Sequence, residues 1–185
     1  GLGTLPRDQK YRFNWNAPIV ASPFDPGTIY HAGNVLLKTT DRGQSWDEIS
    51  PDLTRDQEEL QGRGGGPITN EGAGGENYNT ITYVAPSTHE RGTLWVGTDD
   101  GLVHVTRDEG DTWSDVTPDG IGEAQINAIE VSPHDPGTAW VVATNYKFND
   151  FTPHVFRTDD YGANWTRQVD GIGPDAWVRV VREDP

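Results

Sequence analysis

The sequence predicts an all-β chain built from repeated four-stranded antiparallel sheets, and three observations carry that expectation. Turn residues are dense, with 22 Gly and 13 Pro in 185 residues set between short β-branched and aromatic runs. One eight-residue pattern recurs three times. A second turn pattern recurs ahead of each copy of the first. Self-similarity at this spacing decides the architecture before any local reading does.

The recurring pattern is Thr39-Thr40-Asp41-Arg42-Gly43-Gln44-Ser45-Trp46, then Thr106-Arg107-Asp108-Glu109-Gly110-Asp111-Thr112-Trp113, then Thr158-Asp159-Asp160-Tyr161-Gly162-Ala163-Asn164-Trp165. Each reads Thr-x-Asp-x-Gly-x-x-Trp. The chemistry suits a tight turn between two strands. The carboxylate accepts bonds from backbone N–H groups of its own turn, and Gly allows the positive φ of the reversal. The Thr hydroxyl bonds across the hairpin, and the Trp ring packs back with its N–H seeking a partner. Each Asp stands alone in its repeat, so Asp41, Asp108 and Asp160 read as structural staples rather than paired catalytic acids or calcium ligands.

Taken in order, each repeat supplies four strands, A to D. Strand A is the apolar run at 19–21, 81–84 or 126–131. Next comes a turn: Ser22-Pro23-Phe24-Asp25-Pro26-Gly27-Thr28, its near copy Ser132-Pro133-His134-Asp135-Pro136-Gly137-Thr138, or the longer version at 85–93. Strand B follows at 28–32, 93–98 and 138–144, strand C at 35–39, 102–106 and 154–158, and strand D starts at the motif Trp. Such a repeated sheet is the blade of a β-propeller, and one blade has too little core to stand alone. The blades are expected at about 13–50, 80–117 and 125–169, with an insertion at 50–79 and the first strand of a fourth blade at about 177–185. Asp184-Pro185 falls where Asp25-Pro26 and Asp135-Pro136 fall, so the expectation is a partial propeller completed by further blades, from the same parent chain or from other copies.

The formal net charge is −15, and the 14 basic residues are 11 Arg and 3 Lys. This surface repels nucleic acid and anionic membrane, which excludes both as partners. With no Cys there is no disulfide framework, thiolate metal site or cysteine nucleophile. His31, His89, His104, His134 and His154 lie on separate turns and strands without metal-ligand spacing, so no metal site is expected. Gly64-Gly65-Gly66 fits neither nucleotide fingerprint, and no cofactor is expected.

The three Thr-x-Asp-x-Gly-x-x-Trp turns resemble the Asp-box, or BNR, repeats of the sialidase and sortilin (Vps10)-like propellers, most closely bacterial BNR-repeat glycosyl hydrolases and sortilin-like proteins. Gly33-Asn34-Val35, Ile49-Ser50-Pro51-Asp52-Leu53-Thr54 and Trp95-Val96-Gly97-Thr98-Asp99-Asp100-Gly101 are similar to phrases of that group. The resemblance implies a secreted or periplasmic protein of bacterial type. Tyr11-Arg12-Phe13-Asn14 keeps the first two positions of the sialidase Phe/Tyr-Arg-Ile-Pro motif, whose Arg binds a substrate carboxylate. Sortilin-like propellers are normally followed by a cysteine-rich module, and these 185 residues contain no Cys.

Ligands of propellers meet the face opposite the C–D turns. Two connections reaching that face are long: 50–79, and 145–153. They carry the candidates Arg63, Glu71, Glu76, Tyr78, Tyr146, Lys147 and Asp150, an aromatic and charged set suited to glycan or peptide. The alternative is a solvated Gly-rich loop anchored by single aromatics. Three functions stay open: a non-catalytic binding scaffold, a glycoside hydrolase fragment with catalytic residues partly elsewhere, and a self-assembling partial propeller. A carboxylate pair at roughly 5–9.5 Å on the loop face would mark the enzyme.

Overall fold

A computed structural model describes residues 4–62, 67 and 76–185. It contains three four-stranded antiparallel sheets, each in simple meander order. The first is β1 (Ile19–Ala21), β2 (Ile29–Ala32), β3 (Leu36–Thr39) and β4 (Asp47–Glu48). The second is β5 (Ile81–Pro86), β6 (Leu94–Thr98), β7 (Val103–Thr106) and β8 (Ser114–Asp115). The third is β9 (Gln125–Val131), β10 (Ala139–Asn145), β11 (Asp150–Thr158) and β12 (Thr166–Arg167). This is the strand plan of propeller blades, and the chain is a partial β-propeller.

Alternation along each strand sends successive side chains to opposite neighbours. From the first sheet Tyr30, Ala32 and Leu36 pack on Ile81, Val84, Leu94 and Val96 of the second. Trp95, Val103 and Val105 then pack on Ile126, Ile129, Ala139 and Val141 of the third. The core is thus two layers of apolar side chains between three sheets.

The three Asp turns share one bonding scheme. The Thr39 hydroxyl donates to Asp41 Oδ1 at 2.7 Å, while the Ser45 N–H donates to the same oxygen at 2.9 Å. The Gly43 N–H donates to Thr39 Oγ1 at 2.9 Å. Asp108 repeats this with Thr106 and Thr112, and Asp160 with Thr158 and Asn164. Gly43, Gly110 and Gly162 all have φ between 86° and 101°, the left-handed region that a Cβ disfavours. Side-chain and backbone bonds from Ser45 and Thr112, the side-chain bond first, hold Asp41 and Asp108 down at about 2.

Two of the three motif tryptophans work between sheets rather than within them. Trp113 Nε1 donates to the Ile49 carbonyl of the first sheet at 2.9 Å, and Trp165 Nε1 to the Val116 carbonyl of the second at 2.7 Å. Each partner is the residue just past the outermost strand of the preceding sheet.

One expectation needs correction. The connection at 145–153 is mostly strand: Asn145 pairs with Asp150 across the β10–β11 ladder, leaving a short 3-10 turn, Tyr146–Phe148, closed by Asn149 at φ 60°. A register shift between Ala143 and Asn145 lets the hairpin extend. Residues 177–185, expected to begin a fourth blade, make no ladder bonds among the described residues. They dock on the third sheet through side chains, with Val178 and Val181 against the cluster of Ala128, Val142 and Val155. No neighbouring strand among the described residues offers this segment a ladder.

Candidate functional site

The segment ahead of β1 and the insertion after β4 build one end of the molecule together. The Arg12 guanidinium, 5% exposed, meets Asp52 at 2.6 Å and Asp56 at 3.1 Å, and donates to the Asn79 carbonyl at 3.2 Å. A buried cation with two carboxylates and a carbonyl is fully engaged as a clamp, not presented to a ligand. Leu53 is buried in the core between the first two sheets, so the first part of the insertion is packed chain. Asn14 and Asn77 exchange bonds across this junction: Asn14 Nδ2 donates to the Asn77 carbonyl, and Asn77 Nδ2 to the Phe13 carbonyl, both at 2.8 Å. Asn14 also bridges Glu76.

These ties frame a cavity of about 470 Å³ lined by Asn14, Trp15 and Asn16 on one side, Glu76, Asn77 and Tyr78 on another, and Thr82, Asp99, Gln125 and Lys147 beneath and beyond. Asp99 follows β6 and is 3% exposed. Its two oxygens accept from the Thr80 N–H and the Thr80 hydroxyl, both at 2.8 Å. Neither donor is charged. Burial first, then the charge of adjacent Asp100, pushes the Asp99 carboxyl up to about 8. Asp100 is itself fully bonded, accepting from Asn79 Nδ2 at 2.6 Å, the Thr98 hydroxyl at 2.5 Å and the Arg55 N–H at 2.8 Å. Tyr78, 2% exposed, has its hydroxyl pushed above its ordinary value by burial and by the two carboxylates. Trp15, at 67% exposure, offers an open indole face at the rim.

Of the sequence candidates, Glu76, Tyr78 and Lys147 meet at this cavity. Tyr146 instead stacks on Trp177, with centroids 5.0 Å apart. Asp150 accepts from the Thr152 N–H at 2.9 Å and stands 4.0 Å from His154 Nε2. That local bonding, chiefly with Thr152, holds Asp150 below its ordinary value and keeps it out of the cavity. Arg63 and Glu71 lie outside the described residues. Sequence reasoning missed Asp99, Trp15 and Gln125. The available signal was the pair Asp99-Asp100 closing an apolar strand, where at least one acid must be buried.

No protein-family model matches the sequence, and no curated protein sequence matches it. Solved structures do share its fold. An ancestral GH74 enzyme superposes with a TM-score of 0.58 at 16% identity, covering 85% of this chain and 18% of its own. The GH74 xyloglucanase from Xanthomonas campestris gives 0.55 at 16%, covering 85% and 21%. YCF48 from Cyanidioschyzon merolae gives 0.52 at 19%, covering 85% and 39%. The chain therefore spans well under half the length of these propeller proteins.

Proposed function

We propose that this chain is the binding portion of an extracytoplasmic propeller of the Asp-box type, taking a glycan or peptide at the cavity between Trp15, Glu76, Tyr78, Asp99 and Lys147. The carrying observation is that the insertion after β4 and the short β10–β11 turn converge with the N-terminal segment on one concave, mixed aromatic and polar site. The repeated Asp turns, fully bonded within themselves, serve the scaffold. Glycan and peptide arrays on the intact chain test the reading, followed by Trp15→Ala and Lys147→Ala. Each change should weaken binding roughly tenfold, while Gln44→Ala on a distant turn leaves it intact. Unchanged binding in both cavity variants would refute the assignment.

One observation favours an enzymatic reading of the same cavity. Asp99 holds its proton to about 8, the state a general acid needs near neutral pH. Because propellers of this fold include GH74 enzymes, xyloglucan and chromogenic glycosides are the substrates to try. Turnover that disappears in Asp99→Asn would favour catalysis over binding.

A further inference from the structure

The two seams between the three sheets are built from equivalent residues, yet they differ at the end that carries the Asp turns. Hydrogen bonds fix the equivalence. The Thr28, Thr93 and Thr138 N–H groups donate to the carbonyls of Asp25, Glu90 and Asp135, and the Glu109 and Tyr161 N–H groups to those of Gly92 and Gly137. Between the second and third sheets the space is filled. The Arg107 guanidinium lies 3.7 Å from the centroid of the Tyr161 ring, a cation over an aromatic face. The ring edge sits so close to Gly137 that a Cβ there would lie 3.2 Å from Tyr161 Cε2, and the Tyr161 hydroxyl bonds Glu90. His89 Nε2 stands 3.0 Å from the Ser132 carbonyl, which can only accept, so the imidazole is the donor.

Between the first and second sheets the same place is a cavity of about 320 Å³, within the roughly 300–1,000 Å³ of small-molecule sites. Three differences open it. Glu109 takes the position of Tyr161 and turns its carboxylate to Lys38 at 3.1 Å. Thr40 takes that of Arg107. Phe24 takes that of His89, and a phenyl ring donates nothing, so the Ser87 carbonyl, equivalent to that of Ser132, has no donor among the described residues. Every ionised side chain in the wall is already engaged: Arg91 with Asp25, Lys38 with Glu109, and Glu90 with Arg107 at 3.5 Å. A charged ligand would have to break one of these pairs, and a neutral one would not. Phe24, Tyr30, Pro86 and Leu94 give the cavity apolar walls suited to a ring. The strand β6 begins at Leu94 beside this cavity and ends at Thr98, next to Asp99 of the candidate site, so the two sites lie at opposite ends of the sheet.

We propose that the cavity between the first and second sheets is a second binding site that takes a neutral phenol, its ring lying where Tyr161 lies at the other seam and its O–H donating to the Ser87 carbonyl. The chain itself supplies the precedent, since the equivalent space is filled by a phenol of its own. A tyrosine side chain of a peptide and a free small phenol carry this group alike.

Titration of the isotope-labelled full chain with p-cresol, toluene and N-acetyltyrosinamide, followed by amide chemical shifts, reads the site. p-Cresol should shift the amides of Ser87, Gly92 and Glu109 saturably, and toluene, which lacks the donor, should bind about tenfold more weakly. N-acetyltyrosinamide binding at the same amides assigns the site to peptides; its exclusion while p-cresol binds assigns it to free phenols. Glu109→Tyr places in this seam the residue that fills the other, at φ 62° against 58° for Tyr161, and should abolish the p-cresol shifts with the fold kept. Phe24→His supplies the donor that His89 gives to Ser132, and should weaken p-cresol binding about tenfold. No saturable shift at these amides, equal binding of p-cresol and toluene, or p-cresol binding indifferent to both variants would overturn the proposal.

Discussion

Aspartate appears in this chain in two opposite environments, and the contrast sets its pH behaviour. Asp41, half-exposed, and Asp108, exposed, are carboxylates fixed by hydroxyl and amide donors, and they sit at about 2. Asp99 is buried among neutral donors and sits at about 8. Depressed groups stabilise the fold above their ordinary value of 3.8, and that contribution is lost as pH falls through about 2. Asp99 has the reverse sign: between 3.8 and about 8 the folded form keeps a proton that the unfolded form releases, so stability falls as pH rises across that window. Thermal denaturation from acid to alkaline pH should show both limbs. Asp99→Asn should flatten the upper limb and leave the acid limb in place; an unchanged upper limb would remove Asp99 from the account. The structural role of the repeated aspartates was legible because three copies share one turn chemistry. That of Asp99 was not, because its burial depends on Thr80, Tyr78 and a segment some eighty residues away in sequence.

At the scale of elements, β-branched runs between Pro-Gly turns located the inner strands to within a few residues. The outer strands β4, β8 and β12 are two residues each and carry no apolar alternation, so only the motif Trp marks them. Misreading 145–153 as a loop has a plain cause: Phe148, Asn149 and Pro153 break the pattern, yet the ladder resumes at Asp150 because its partner Asn145 is already in line. The tryptophan joint between sheets is testable here. Trp113→Phe keeps an aromatic ring but removes the donor to the Ile49 carbonyl and part of the indole's packing area, and should cost about 1 kcal/mol or more in urea unfolding. Trp46→Phe should cost far less, since Trp46 donates to no carbonyl of another sheet among the described residues. Equal losses at the two positions would show that ring packing alone matters.

For the whole molecule, the charge of −15 is a self-repulsion borne by every folded copy. Adding salt from about 0.05 to 0.5 M should raise the denaturation midpoint as the Debye length shrinks, with differential scanning calorimetry as the check. A flat response would mean that local ion pairs such as Lys38 with Glu109 offset the net field. The candidate cavity was half legible at this scale. Glu76 and Tyr78 follow from the long insertion after β4, Lys147 was reached through a turn read as longer than it is, and Trp15 and Asn14 required knowing that their N-terminal segment folds over this end. The joint between sheets carries a further lesson about growth. Each unit ends in a carbonyl of the kind its successor's indole seeks, and brings an indole that seeks the same from its predecessor. A gene segment duplicated in frame therefore arrives with both halves of the seam already made, and the glycine beside each indole leaves room for the newcomer. Lengthening such an array asks for copying rather than invention.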